Sequence, residues 1–275
     1  MFESVRISKK SYFKDKEIFV FFQEWKFPYA SMIHAHDFYE LELVVEGSGE
    51  EIINGERFPK ERGSVTISTP ADYHSFEINE KMSVVDIMFT EQSMPGGFTN
   101  QLFSKSYKRS IKLSEEKICH LVDLCKLLKS VGEYENPLRD RLEKKLLESS
   151  ILILLSQFEE DGQLKSPEKP DDIEVAMQYI DLHFVESPSI NAVAEAIGKS
   201  PNYFSKFFKR STGLHYSDYL NVRKVECAEM LLRFSNMSIT DVCFNCGFNS
   251  LSNFLRVFKE LKGMRPGDYR KKYRQ

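Results

Sequence analysis

Residues 190–213, INAVAEAIGKSPNYFSKFFKRSTG, return in altered form at residues 239–263 as ITDVCFNCGFNSLSNFLRVFKELKG. Ile190, Val193, Ala194, Ile197 and Gly198 recur as Ile239, Val242, Cys243, Cys246 and Gly247, each 49 residues later. After one inserted residue the offset becomes 50. Phe204, Phe207, Phe208, Lys209, Gly213, Asp218 and Tyr219 then recur as Phe254, Val257, Phe258, Lys259, Gly263, Asp268 and Tyr269. This many matched positions mark an internal duplication, and each copy has the punctuation of two helices around a tight turn.

In the first copy Ser189 can cap a short helix that stops at Gly198, a residue suited to the left-handed conformation just past a helix end. Ser200 then caps a second helix with Pro201 at its first position, where a missing N–H costs nothing. In the second copy Ser238 caps, Gly247 turns, and Asn249 or Ser250 caps again. Two helices joined by a short glycine-bearing turn form a helix-turn-helix, whose second helix enters the DNA major groove. A plain helical solenoid would share the pattern, but stacking of that kind needs three or more repeats. Between the copies, Ser217–Phe234 forms one helical pattern with Leu220, Cys227, Ala228 and Leu231 on a face. At 1.5 Å per residue such a rod spans about 27 Å, close to the ~34 Å between successive major-groove faces.

The run Arg223-Lys-Val-Glu-Cys-Ala228, with Leu231, Leu232, Ile239, Cys246-Gly-Phe248, Ser250, Phe254, Arg256, Phe258-Lys259, Gly263, Pro266 and Tyr269-Arg270, resembles the signature of the AraC/XylS transcription regulators. The resemblance covers about one hundred residues and implies a seven-helix domain with two reading helices. It departs at Cys243 and Phe244-Asn245, where the family usually carries small aliphatic residues.

On the reading helices Phe204, Phe207 and Phe208, or Phe254, Val257 and Phe258, form the inward stripe. The opposite face carries Asn202, Ser205, Lys206 and Lys209 in the first copy, and Leu251, Ser252, Asn253, Arg256 and Lys259 in the second. Asn and Arg can pair bidentately with adenine and guanine edges, and Lys can reach guanine or phosphate. The resemblance places Asn202, Ser205, Lys206, Ser252 and Arg256 at base-contacting positions. Lys209 and Lys259 are expected at phosphates, which position rather than specify. Cys243 and Cys246 form a CxxC, but no second Cys or His pair lies at zinc-finger spacing, and they replace Ala194 and Ile197 of the first copy; core packing is their expected role.

The 275 residues are 41% hydrophobic and 29% charged, ordinary for a globular protein, and enough for two domains. The net charge of −3 hides an asymmetry. Residues 171–275 hold 15 Lys+Arg against 12 Asp+Glu, and the remainder 23 against 29. The basic excess lies with the duplication, as phosphate contact requires. Five cysteines, an odd number mostly within helical patterns, suit reduced thiols in a cytoplasm. No signal peptide or run of eighteen apolar residues is seen, so no membrane association is expected.

Residues 1–95 read as short strands. Glu17–Lys26, Tyr39–Glu46, Ser64–Ser68 and Val84–Phe89 are punctuated by Gly47-Ser-Gly49, Asn54-Gly55 and Pro70-Ala-Asp72. Many short strands at this spacing predict an antiparallel sandwich or barrel. Two helices follow, one from Leu113 to Val131 with Ile118, Leu121, Val122, Cys125 and Leu128 on a face. The other runs from about Leu138 to Phe158 with Leu142, Leu146, Leu147, Ile151 and Leu154. The expected fold is therefore α+β and multidomain: a barrel over 1–95, a helical pair over 113–158, a linker over 159–172, and an all-α domain over 173–275 with two helix-turn-helix motifs.

In the barrel, His34-x-His36-x-x-x-Glu40, then Gly47 after six intervening residues, Gly63, Pro70 and His74 resemble the two motifs of the cupin barrel. In metal-dependent cupins these positions make His34, His36, Glu40 and His74 the ligands, and imidazole with carboxylate suits iron, manganese, nickel or zinc. Pro28 replaces the usual first glycine, and Pro70-Ala-Asp-Tyr-His74 is one residue short of the usual spacing. The same interior can instead hydrogen-bond a small polar ligand without metal or cofactor. Strand parity adds Glu42 to that interior, and Trp25 shares a face with Phe19, Phe21 and Gln23, either as a core aromatic or as a platform for a sugar ring.

Three function classes follow. The favoured one is a regulator in which the barrel binds a small effector such as a sugar, the helices dimerise the chain, and the helical domain binds promoter DNA. As an activator it would also meet RNA polymerase. The second is a metal-dependent cupin enzyme or metal sensor fused to a DNA-binding domain, and the third is a constitutive DNA-binding protein with a structural barrel.

Overall fold

A computed structural model describes residues 6–13, 16–94, 109–161 and 171–274, and the chain divides into two compact units, residues 1–169 and 170–275. The middle of the expected linker, residues 162–170, lies outside the described residues.

The first unit begins with β1 (Arg6–Ile7), a short α1 (Lys9–Tyr12), β2 (Ile18–Trp25) and β3 (Ala35–His36). It continues with β4 (Tyr39–Glu46), β5 (Ser48–Ile53), β6 (Glu56–Glu61), β7 (Ser64–Ser68), β8 (His74–Ile78), β9 (Met82–Phe89) and β10 (Ser110–Lys112). The strands do not close into one barrel. They form an antiparallel five-stranded sheet in the order β10-β7-β4-β9-β2, a three-stranded sheet β6-β5-β8, and a parallel pair β1-β3. The chain passes between the two larger sheets at glycines with positive φ, Gly47 after β4 and Gly63 before β7. Asn54 and Gly55 both have positive φ (52° and 86°), the conformation a two-residue hairpin needs to match strand twist. Gly49, expected as part of a turn, lies inside β5; a Cβ there would overlap the Glu77 carbonyl on β8, so the residue is dictated by strand proximity.

Residues 29–34 run beside β8. His34 and His74 exchange both backbone hydrogen bonds (2.9 and 2.8 Å), Ser31 N–H donates to Phe76 O, and Ile78 N–H donates to Tyr29 O. Two helices complete the unit. α2 (Glu115–Val131) is capped by Ser114 and buries Ile118, Leu121, Cys125 and Leu128; α3 (Arg139–Glu160) buries Leu146, Leu147, Ile151, Leu154 and Phe158. Leu142, expected on the inward face, is 41% exposed, and α3 runs two residues past its expected end into the linker.

The second unit has seven α-helices among the described residues: α4 (Asp172–His183), α5 (Ile190–Ala196), α6 (Pro201–Thr212), α7 (Tyr216–Phe234), α8 (Ile239–Asn245), α9 (Leu251–Lys262) and α10 (Pro266–Tyr273). Ser189, Ser200 and Ser238 cap as the sequence predicts, and Ser250 rather than Asn249 caps α9. The two copies share one aromatic pattern. Phe208 meets Tyr219 edge-on at 5.5 Å, and Phe258 meets Tyr269 edge-on at the same distance. Phe207, expected in the stripe, is only half-buried and stacks on the exposed ring of Tyr203, whereas its counterpart Val257 is buried. Cys243 and Cys246 are buried free thiols, and Cys246 Sγ lies 3.2 Å from Cys227 Sγ on α7.

One feature of α7 escapes its apolar periodicity. Lys224 is buried, and its Nζ donates to Ser187 Oγ (2.5 Å) and Gly247 O (2.6 Å), while Ser187 Oγ also donates to Gly247 O (2.9 Å). The second turn is thereby tied to the segment after α4, and Gly247 packs so closely that a Cβ would overlap the Val185 carbonyl. The first turn has no such neighbour: a Cβ on Gly198 would meet nothing within 4 Å. Both glycines have positive φ. Gly198→Ala should therefore lower unfolding stability by about 1–2 kcal/mol, the left-handed penalty alone, and Gly247→Ala by clearly more. Equal shifts in urea midpoint for the two variants would show that the Val185 approach is not retained in solution.

Candidate functional site

The two reading helices present their polar faces to solvent because their apolar stripes are consumed by the core. Phe204, Phe208, Phe254 and Phe258 are 0% exposed. On α6, Asn202, Lys206 and Lys209 are exposed and Ser205 is half-buried; on α9, Ser252, Asn253, Arg256 and Lys259 are exposed. Lys209 Nζ lies 2.9 Å from His215 Nε2. Arg256 Nη1 donates to both oxygens of Glu260 (2.9 and 2.8 Å), and its Nη2 donates to Asn253 Oδ1 (2.9 Å).

The other expected site lies in the first unit, between its sheets. The backbone pairing of residue 34 with residue 74 brings the His34 and His74 rings to 4.3 Å between centroids, and His36 and His74 to 5.1 Å. Each ring is anchored through Nδ1: His34 to Met32 O (3.0 Å), His36 to Phe38 O (2.7 Å), and His74 to Glu51 Oε1 (2.9 Å). A carbonyl can only accept, so Nδ1 of His34 and of His36 carries the proton and Nε2 is left with a lone pair. His36 Nε2 and His74 Nε2 lie 3.4 and 3.7 Å from Glu40 Oε2, and neither nitrogen makes a hydrogen bond. His36, Glu40 and His74 offer ligand atoms within 4.8 Å of one another.

Glu42 does not share this cluster. It is held by Lys60, whose buried Nζ also reaches Glu51 Oε2 at 2.8 Å. Across the strands Glu42 stands opposite Thr66 and Asp86, and Gln23 Nε2 donates to Asp86 Oδ2 (2.7 Å). Trp25 is half-buried and stacks on Tyr29 (4.5 Å), with the Phe76 ring edge-on at 5.4 Å, packing against Val44, Ile78, Met82 and Val84. It thus sits in an apolar cluster beside Phe76, whose ring Lys60 Nζ overlies at 5.8 Å. The expected set therefore divides into a histidine–Glu40 group, a Lys60-centred acidic group and an aromatic group. Glu51, Lys60, Asp86 and Gln23 escaped the sequence reading. The available signal was a charge inside an apolar strand, as with Asp86 in MSVVDIMF. A groove of about 200 Å³ opens elsewhere, between β2 and α2, lined by Ile18, Phe19, Phe21, Leu128 and Lys129, without a histidine.

Burial governs the titration of the interior. It pushes His34 and His74 down to about 4, Glu51 up to about 8, Lys60 down to about 8, and Asp86 well above the carboxylate range. Burial alone would raise Glu40 too, but the His36 contact and the three surrounding imidazoles outweigh it and hold the carboxyl down to about 2.

Known proteins agree with the duplicated half of the chain. A helix-turn-helix domain family matches residues 193–272, which include both reading helices. The HTH-type transcriptional activator RhaS of Escherichia coli (strain SE11) is 25% identical over 245 residues, covering 86% of each chain. The chain is thus similar to transcription regulators of the AraC/XylS kind, and residues 193–272 carry their type of helix-turn-helix domain. Among solved structures, the DNA-binding domain of AdpA in complex with a target DNA is 26% identical, covering 38% of this chain and 94% of that one, with a TM-score of 0.36. ToxT from Vibrio cholerae covers 93% of this chain and 98% of its own at 12% identity and a TM-score of 0.41. The matched helix-turn-helix domain marks a DNA-binding regulator, and no helix among the described residues is long and apolar enough to cross a membrane.

The histidine cluster makes a definite contribution to the acid response. His34 and His74 titrate near 4 in the fold against an ordinary 6.5, so between those values these groups bind more protons in the unfolded chain and their contribution to stability falls as pH drops. Glu40, held low, adds a further loss below its ordinary 4.5. Trp25, the one tryptophan, lies in the same unit and reports its unfolding. Glu51 and Asp86, held above the ordinary carboxylate range, act in the opposite sense over the same interval, so the histidine contribution is read as a difference between variants. As pH drops from 7 to 4.5, the urea midpoint of His74→Gln by Trp25 fluorescence should rise relative to that of the wild type, and profiles that stay parallel would mean the His74 imidazole is solvated.

Proposed function

We propose that the chain is a cytoplasmic activator in which a small neutral polyhydroxyl molecule, a carbohydrate or related metabolite, occupies the polar interior of the first unit and controls promoter binding by the second. The observation that carries this reading is the set of buried polar atoms without hydrogen-bond partners, His36 Nε2, His74 Nε2 and Asp86 Oδ1. A buried polar atom left unpaired costs about 1–3 kcal/mol, and ligand hydroxyls, which donate and accept, would relieve it. With Glu51 and Asp86 held above the ordinary carboxylate range, the charge there comes from Glu40 and the Glu42–Lys60 pair, and this balance disfavours an anionic ligand. RhaS is named as a transcriptional activator, which supports activation as the output and contact with RNA polymerase as its route. Exposed Leu127, Leu138, Leu142 and Leu152 on and beside α2 and α3 support a homodimer. Ligand binding would then shift the population toward the dimer geometry that meets two half-sites.

A bound metal ion is the second reading, favoured by one specific observation. His36 Nε2 and His74 Nε2 face Glu40, and the outer nitrogens are fixed by a carbonyl and a carboxylate, an arrangement that suits a transition-metal site. The residues fit such an ion. His36, Glu40 and His74 would hold it, and it would supply a Lewis-acidic anchor for a ligand oxygen.

Both readings meet in one experiment on protein purified without an affinity tag: metal analysis, then thermal shift and promoter binding across neutral sugars, sugar acids and sugar phosphates. One neutral sugar should raise the midpoint and change promoter affinity with no metal bound, and His36→Ala should abolish both effects while leaving basal promoter affinity intact. Stoichiometric metal, with the response lost on chelation, would replace the first reading by the second. On the DNA side, Arg256→Ala should cost about 1–3 kcal/mol at the promoter and relax preference at one base pair. Equal losses on promoter and random DNA would assign Arg256 to phosphate.

A further inference from the structure

The two reading heads are built from one repeat but differ around their central cation. On α9, Arg256 is flanked by two acceptors, Glu260 one turn later and Asn253 one turn earlier, and both are engaged. At the offset of 50 the counterparts on α6 are Lys206, Arg210 and Tyr203, which supply no carboxylate or amide oxygen. Arg210 instead adds a third cation to Lys206 and Lys209 on that helix.

A guanidinium carries five N–H donors. Three hydrogen bonds to Glu260 and Asn253 leave Nε–H and one Nη2–H. These two lie along one edge of the plane, and two parallel donors are what a bidentate contact to guanine O6 and N7 uses. The ion pair is exposed, Arg256 at 60% and Glu260 at 59% of the side chain, so it contributes little to stability. A carboxylate on a helix that approaches phosphates also opposes binding electrostatically. Its effect on DNA recognition must therefore come through Arg256 or be unfavourable.

We propose that Glu260, with Asn253, is a positioning residue that fixes the guanidinium plane of Arg256 for base discrimination by α9, a device whose counterpart positions on α6, Arg210 and Tyr203, supply no carboxylate or amide oxygen. This rests on the reading of Arg256 as a base-contacting residue. Glu260 sacrifices some affinity for all DNA and returns it as selectivity at one site, because an arginine already ordered loses less rotamer freedom on meeting the correct base.

The test uses the full chain, with promoter and random duplexes titrated across a salt series for Glu260→Ala, Glu260→Gln and Arg256→Ala. Glu260→Ala should raise affinity for random DNA by about twofold to fivefold at low salt, because a like charge is removed. It should lower the promoter-to-random ratio by about fivefold to tenfold, the scale of ordering one long side chain. Glu260→Gln removes the same charge but keeps an oxygen acceptor, so random-DNA affinity should rise equally while most of the ratio is retained. If Glu260→Ala leaves the ratio unchanged while Arg256→Ala lowers it, Arg256 reads a base without help and the positioning role is overturned. If Arg256→Ala itself leaves the ratio unchanged, the base-contact reading fails and the positioning role fails with it. If Gln and Ala lower the ratio equally, the charge rather than the hydrogen bond is responsible, and the positioning role is again overturned.

Discussion

Each reading helix is held by an aromatic lock: two phenylalanines one turn apart, buried completely, with the second meeting a tyrosine edge-on from the next helix. Such pairs add about 0.5–1.5 kcal/mol beyond the area they bury. Their larger consequence is geometric. Once Phe204 and Phe208, or Phe254 and Phe258, are fixed inward, the helical period leaves one face of each helix for DNA. The serine caps and left-handed glycines around the locks set the angle at which that face is presented, so the recognition surface follows from packing on its far side.

The duplication was legible because these locks repeat. A residue that must fill a zero-exposure site or adopt positive φ can change little in kind, so the spacing of Phe, Gly and Ser survives between the copies even where most other positions differ. What the pattern did not reveal lies where packing is permissive or polar. Phe207 aligns with buried Val257 yet stays half-buried against Tyr203, since a large ring at the margin of the stripe can lean either way. Leu142 has the right period for the α3 core but lies near the helix start, with a large part of its surface in solvent. Buried Lys224 reads as a surface cation in sequence, and only the spatial approach of Ser187 and Gly247 explains it.

In the first unit, the strands and the Asn54-Gly55 hairpin were readable from β-branched runs and turn chemistry. Their division into two sheets was not, because sheet membership depends on where glycines let the chain cross over. The histidine cluster was half readable. Parity placed His34, His36 and Glu40 near one another, but the backbone pairing that delivers His74 links residues 40 apart in sequence, and Lys60 and Glu51 arrive from a different sheet. Strand parity also put Glu42 beside Glu40, whereas Lys60 holds it and joins it to the histidines only through Glu51.

That interior is costly for a folded protein, and the cost has a use. A ligand shifts a conformational equilibrium only by its difference in affinity between two states. Moving a population from 1:99 to 99:1 takes about 5.5 kcal/mol of such difference. Relieving buried unpaired atoms such as His36 Nε2 and His74 Nε2, at about 1–3 kcal/mol each, would supply a sum of that order in the state where the two imidazoles meet Glu40. A well-satisfied or wholly apolar core would be more stable and would offer no such difference. The two reading helices show the opposite economy, with their inner stripes closed on aromatic rings and their polar faces turned to solvent. An effector would draw on the unpaired groups of the first interior, whereas the reading faces are fixed by packing behind them.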